Sequence, residues 1–218
     1  MRNRLLVIML IASALAGIIA PAKSVTAQSS TSTTIPLWET IPLADAVRQL
    51  ESTPINGHCV SNVTIFSAAT SRYVVAEVWH TGGSYGMLSA SRLPIPPSEP
   101  WEPFANGMLL SNTYQISTWA LFVICKHDSF YTLRSQQNGQ YVVAELNYSG
   151  YSFGMLRANA TQIGPWEEFH LHLQPDGWVV IQSRFTRAFV SAEAHYYGDQ
   201  YGMLRARAYQ LGPWELFR

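Results

Sequence analysis

Three short stretches of this chain bring aromatic rings together with hydrogen-bonding side chains and glycine: VWHTGGSY (78–85), LNYSGYSF (146–153) and AHYYGDQY (194–201). They carry Trp79 and His80; Asn147, Tyr148 and Tyr151; and His195, Tyr196, Tyr197 and Asp199. An aromatic face stacks on the apolar face of a sugar ring while amides and carboxylates take its hydroxyls. These nine residues are therefore the ligand-binding candidates, and a polysaccharide or glycan is the expected partner. The competing reading is structural: the same rings pack over one end of the fold as a hydrophobic lid.

Catalytic and metal chemistry find little support. There is no His-Glu-x-x-His, and two cysteines make no zinc set. His170 and His172 alternate along one face of a strand but have no third ligand nearby. The expectation is a non-enzyme with no metal and no cofactor. With 14 basic and 14 acidic residues the formal net charge is zero, which argues against a nucleic-acid partner.

The elements that must position the candidates are repeats. YVVAE at 73–77 returns at 141–145 and as FVSAE at 189–193, while Gly-Met-Leu starts at 86, 107, 154 and 202. Each Glu of the first motif precedes its Gly by nine residues, and the last two units share a period of 48. A serine (Ser67, Ser135, Ser183) sits six residues before each Tyr or Phe. Between Gly, Asn, Asp and Pro breaks, each unit holds four strand-type runs, in the second YTLRS, YVVAE, MLRAN and WEEFHLHL. The only helix-like stretch is PLADAVRQLES (42–52). Three units of four strands predict an all-β chain, a β-trefoil with a closed barrel and three capping hairpins; a three-bladed propeller would fall below the usual blade number.

Ahead of the repeats, MRNR and a sixteen-residue apolar run interrupted only by Ser13 read as a signal peptide over 1–27, giving an expected secreted, monomeric product with no membrane attachment after cleavage. Residues 28–58 form a leader with the short helix, polar over QSSTSTT, and the trefoil spans 59–218, with repeats at about 59–124, 125–173 and 174–218. The first unit holds Gly-Met-Leu twice. The second copy keeps the standard fifteen-residue spacing to its Phe, Gly107 to Phe122, so 86–106 reads as an insertion. The alternative puts the first copy in the barrel. In the trefoil register Cys59 precedes the first strand of unit one and Cys125 follows its fourth, and those strands pair antiparallel, which predicts a Cys59–Cys125 disulfide.

With Tyr-Val-x-Ala-Glu, Leu-x-Ala-Asn/Arg and Trp-Glu-x-Phe laid out in order over 59–218, the chain resembles the fascin-like branch of the β-trefoils. Fascins bundle actin with four such domains. A single exported domain fits that role poorly, and exported fascin-like trefoils, some attached to polysaccharide-degrading enzymes, imply carbohydrate binding instead. Two other functions stay open: a protein-interaction trefoil, inhibitor or adhesin, using 86–106 as its contact loop, and actin binding. Residues repeated in every unit read as fold. Trp119, Trp166 and Trp214 with Phe122, Phe169 and Phe217 are expected in the barrel, and Tyr85, Phe153 and Tyr201 in the core. Glu145 with Arg157 and Glu193 with Arg205 are expected as cross-strand ion pairs that unit one lacks. Asn62, Asn147 and Asn159 head Asn-x-Ser/Thr triplets, which in a eukaryotic secretory pathway accept glycans.

Overall fold

β-Branched and aromatic runs punctuated by glycine, asparagine and proline form strands because such side chains fit a pleated, half-buried surface. A computed structural model of the protein describes residues 34–78, 80–90, 115–197 and 200–218. The expected signal peptide, the polar stretch to residue 33, Trp79, Asp199, residues 91–106 and the Gly-Met-Leu at 107–109 lie outside the described residues.

In chain order the strands are β1 (Thr34–Pro36), β2 (Ile41–Pro42), β3 (Cys59–Thr64), β4 (Phe66–Ser67), β5 (Arg72–Tyr73), β6 (Val75–Glu77), β7 (Met87–Ser89), β8 (Gln115–Ser117), β9 (Phe122–Lys126), β10 (Tyr131–Ser135), β11 (Tyr141–Glu145), β12 (Met155–Ala160), β13 (Phe169–Leu173), β14 (Val179–Ser183), β15 (Phe189–Ala192), β16 (Leu204–Ala208) and β17 (Leu216–Phe217); helix α1 spans Leu43–Ser52. Seven strands close a barrel. β3 pairs with β9, β9 with β10, β10 with β13, β13 with β14, β14 with β17 and β17 with β4, all antiparallel, and β4 continues β3 across Ile65. Closure leaves this ring no open edge. Its interior holds Val60, Val63, Phe122, Ile124, Leu133, Phe169, Leu171, Val179, Ile181 and Phe217.

Helix α1 lies against β3, β9 and β13. Leu43, Ala46, Val47 and Leu50 fall at i, i+3, i+4 and i+7, so one stripe enters the barrel core. Lys126 Nζ donates to the Leu50 carbonyl at 3.3 Å and pairs with Glu51 at 2.9 Å, and the Tyr131 hydroxyl donates to Glu51. The Tyr131 hydrogen bond, then Lys126, holds the Glu51 carboxyl below its ordinary range; burial, then Glu51, pushes Tyr131 up. The Cys59–Cys125 disulfide closes the same end of the barrel, as the register predicted.

The other end carries three hairpins, β6–β7, β11–β12 and β15–β16, in matching register: Ala76 faces Leu88, Ala144 faces Leu156 and Ala192 faces Leu204. They interlock around a pseudo-threefold axis through Arg157↔Met87, Met155↔Arg205 and Ser89↔Met203. Each unit's alanine N–H donates to the preceding unit's glycine carbonyl: Ala158 to Gly86 and Ala206 to Gly154 at 2.7 Å, Ala90 to Gly202 at 2.8 Å. Met87, Met155 and Met203 form a small apolar cluster of their own. A side chain at Gly86 would meet the Ala158 carbonyl oxygen at 2.5 Å, and one at Gly154 the Ala206 oxygen at 2.8 Å, which explains the glycine before Met-Leu at both positions.

This ring corrects the reading of 86–106 as an insertion. The first Gly-Met-Leu takes the third place around the axis, where Gly86 and Ala90 bond the neighbouring units. The leader is likewise not a free tail over its whole length. β1 pairs with β8, β2 pairs parallel with β3, and Ile35 and Leu37 pack on Val75, Ile116, Ala120 and Leu121. The arrangement is β-trefoil-like, with internal threefold symmetry. Unit one departs from four regular strands, since its runs break at Ile65 and Val74.

Two further expectations are corrected. The barrel keeps Phe122, Phe169 and Phe217 fully buried, but Trp166 and Trp214 are only half-buried, and the buried member of each Trp-Glu pair is the glutamate. The Gly-Pro-Trp-Glu segment turns back on itself, so that Gly164 N–H donates to Glu167 and Gly212 N–H to Glu215, at 2.8 and 2.7 Å; Ser191 Oγ also donates to Glu215. A carboxylate satisfied by backbone N–H groups tolerates burial. Trp119 alone is buried as expected. Tyr85 and Tyr201 are half-buried rather than core, and Phe153 is 37% exposed.

Candidate functional site

The hairpin tips project from the capped end, and their environments differ. At the first, His80 is half-buried, with Nε2 2.8 Å from the buried Glu77 carboxylate. At the second, Asn147, Tyr148 and Tyr151 are exposed, Tyr151 by 61%. At the third, His195 and Tyr197 are exposed, Tyr197 by 93%, while Tyr196 is half-buried. Trp79 and Asp199 lie outside the described residues.

The second and third tips meet. The Tyr151 and Tyr196 rings stand edge to face with centroids 5.8 Å apart. Tyr196 is fixed further by the Arg205 and Arg207 guanidiniums, 5.6 and 5.7 Å from its ring centroid, and its hydroxyl accepts from Arg207 at 2.9 Å. Both arginines lean on Glu193, Arg205 at 3.2 Å and Arg207 at 2.6 Å. Burial pulls the Arg205 pKa down against the pull of Glu193. For Arg207 burial is outweighed by its bonds to Glu193 and Tyr196, and the pKa rises. The expected pair Glu145–Arg157 is present at 3.1 Å, and Asn159 donates to the same Glu145 at 3.2 Å, where unit three has Arg207. Of the three Asn-x-Ser/Thr asparagines, Asn147 is the exposed one; Asn62 accepts from Gln136.

The arginines also cross between units. Arg157 donates from Nε to the Tyr85 carbonyl at 2.8 Å and from Nη2 to the Gly82 carbonyl at 3.3 Å, tying down the first tip. Arg205 donates to the Tyr151 carbonyl of the second. The residue in this position facing the third tip is Ser89. The third tip is also where a cleft of about 510 Å³ opens, lined by Ala194, His195, Tyr196, Tyr197 and Tyr201.

Sequence reasoning missed three contributors. Trp214 stands edge to face with His195 at 4.2 Å, forming a wall of the third tip rather than a barrel residue. Tyr201 lines the cleft, and Arg207 locks Tyr196. For Trp214 and Tyr201 the repeat was misleading, because recurrence in every unit reads as core. Arg207 had a signal: unit two has asparagine there. Also passed over was Gly-x-Ser-x-Gly, which occurs at Gly82–Gly86 and Gly150–Gly154. Its serines, Ser84 and Ser152, sit in 3₁₀ turns at hairpin tips, without the strand–turn–helix setting in which that pattern marks a nucleophile. His170 and His172 have ring centroids 5.9 Å apart; burial, and then the neighbouring His172, lowers the His170 pKa. His172 Nε2 lies 3.0 Å from Gln182 Oε1, and among the described residues no three His, Cys, Asp or Glu gather to hold a metal.

Neither a scan against protein-family models nor a search of curated proteins finds a match. Solved structures similar in fold include a designed threefold-symmetric protein, ThreeFoil (11% identity, 71% of this chain and 94% of that chain, TM-score 0.49). They also include a GlcNAcα1-4Gal-releasing endo-β-galactosidase from Clostridium perfringens (11% identity, 71% of this chain and 31% of that chain, TM-score 0.46) and a proteinase inhibitor from Coprinopsis cinerea (14% identity, 76% and 97%, TM-score 0.46).

Proposed function

We propose that this is a secreted, non-enzymatic carbohydrate-binding protein of the fascin-like trefoil type, whose site lies on the second and third hairpin tips. The observation that carries the reading is the junction of those tips. Tyr196 is held in place by Arg205, Arg207 and Tyr151, while Tyr151 and Tyr197 stay exposed beside an open cleft. Rigid rings beside His195 and Asn147 offer a stacking face with hydrogen-bonding groups at its rim, at low entropic cost on binding. The buried glutamates have structural partners in the turns and ion pairs, which leaves the acids of the repeat to the fold. The export expectation fits a disulfide-closed domain, and no helix among the described residues is long and apolar enough to cross a membrane.

The test is retention of the mature chain on insoluble polysaccharides and a glycan array, competed by free oligosaccharide. Tyr151→Ala and Tyr197→Ala, both at exposed rings, should melt as the parent does and lose at least tenfold in retention, on the order of one lost stacking contact. Tyr196→Ala is a poorer probe, because that ring supports two arginines. Parental retention in both variants, or no retention of the folded parent, would refute the reading.

A further inference from the structure

Glu145 and Glu193 hold the same place in units two and three, yet their partners differ by one charge. Glu145 pairs with Arg157 at 3.1 Å and accepts from the neutral Asn159 amide at 3.2 Å. Glu193 pairs with Arg205 at 3.2 Å and, where unit two has that asparagine, with Arg207 at 2.6 Å. Each second partner lies fourteen residues after its glutamate, and unit one has Ser91 at that spacing. Two of the three units therefore do without this arginine, so the hairpin does not require it. Among the described residues, two guanidiniums at the third tip share one carboxylate, leaving one positive charge in excess.

Arg207 is also held so that part of it stays available. Its Nε and Nη2 take the two Glu193 oxygens at 2.6 and 2.9 Å, and Nη2 donates to the Tyr196 hydroxyl at 2.9 Å. Among the described residues nothing takes up Nη1, and the side chain is 38% exposed. Because the Tyr196 oxygen accepts from Nη2, its own proton remains to donate. A guanidinium donor and a hydroxyl donor thus stand next to each other, and Tyr196 lines the cleft with His195, Tyr197 and Tyr201. Adjacent donors beside an unbalanced positive charge select an acceptor that is itself an anion, and a carboxylate has two oxygens to meet them.

We propose that the third tip binds an acidic sugar, whose carboxylate accepts from Arg207 and the Tyr196 hydroxyl while its apolar ring face lies on Tyr197. The proposal rests on the carbohydrate-binding reading and adds the class of sugar. Water and salt screen a guanidinium this exposed, so the acid should gain about tenfold over an uncharged form of the same sugar.

The experiment is titration calorimetry of the mature chain at low ionic strength. The probes are hexamers of galacturonic, mannuronic and glucuronic acid, each beside its methyl ester, which keeps the ring and removes the charge. The parent should bind at least one acid about tenfold more tightly than its ester. Arg207→Asn puts in the residue of unit two, so it should fold and melt as the parent does. If Arg207 only props the Tyr196 ring, that variant weakens acid and ester alike and their ratio stands. If Arg207 meets the carboxylate, the ratio falls to about one. Should the variant not fold, the ratio of acid to ester binding in the parent decides by itself. Equal binding of acid and ester by the parent, or an unchanged ratio in folded Arg207→Asn, overturns the acidic-sugar inference and leaves the carbohydrate reading standing. Binding of neutral sugars alone on the wider panel does the same. No binding of any sugar here or on that panel overturns both.

Discussion

Gly86 and Gly150 have the same kind of backbone and different surroundings, so alanine at each position separates two costs. Both lie in the left-handed region, at φ 71° and 61°. At Gly150 an added Cβ meets nothing within 4 Å; at Gly86 it would stand 2.5 Å from the Ala158 carbonyl oxygen and 3.0 Å from its carbon. Placing alanine in the left-handed region costs about 1–2 kcal/mol, and the stiffer unfolded chain offsets about 0.4–1 kcal/mol of that. Gly150→Ala should therefore lose about 0.5–1 kcal/mol. Gly86→Ala carries the same backbone penalty plus a steric one. The contact atom is main chain, so β7 and β12 must separate, which adds about 1–3 kcal/mol of overpacking. It also weakens the 2.7 Å bond from Ala158 N–H to the Gly86 carbonyl, worth about 0.5–1.5 kcal/mol. The expected total is about 2–5 kcal/mol, with Gly154→Ala, at 2.8 Å from the Ala206 oxygen, somewhat below Gly86→Ala. Urea melts fitted with a common slope read these differences as shifts in midpoint. Equal midpoint shifts for Gly86→Ala and Gly150→Ala would refute the close-packed ring at the threefold axis.

Reducing Cys59–Cys125 reopens a loop closed by a sequence separation of 66, which should cost about 4 kcal/mol and roughly 10 °C in Tm, checked by melting with and without reductant; an unchanged Tm would contradict the entropic account. Burial raises the Glu167 pKa, so the folded state holds that proton more tightly than the unfolded one, and this contribution to stability is lost as pH rises out of the ordinary carboxylate range. Glu167→Gln should accordingly gain stability relative to the parent between pH 4 and pH 7, and a difference that does not move with pH would refute the assignment. Glu51 has the opposite sign: its pKa is lowered by Tyr131 and then Lys126, and its contribution is present at neutral pH and lost on acidification. Glu51→Gln should therefore destabilise the protein at pH 7, and the difference should shrink on acidification through the lowered pKa, read by the same melts.

What the sequence determined by itself was whatever recurs at fixed spacing. Three copies of Tyr/Phe-Val-x-Ala-Glu and Gly-Met-Leu implied the hairpins, their register paired Glu145 with Arg157 and Glu193 with Arg205, and the position of each cysteine relative to its strand implied the disulfide. The apolar stripe of α1 was equally legible, because four residues one helical face apart admit few other uses. Tertiary structure alone decided that the first Gly-Met-Leu enters the ring: both copies satisfy the local pattern, and the bonds from Ala158 to Gly86 and from Ala90 to Gly202 place the first copy there. It also reversed Trp and Glu in Gly-Pro-Trp-Glu. Hydrophobicity puts the indole inside, but a turn that aims the Gly212 N–H at Glu215 satisfies the carboxylate in the interior and frees Trp214 to face His195. The meeting of Tyr151 with Tyr196, from tips 45 residues apart in the chain, is likewise a product of the threefold axis. Spacing along a chain records which strands can pair; which tips become neighbours depends on how three units close around an axis, and no single unit encodes that.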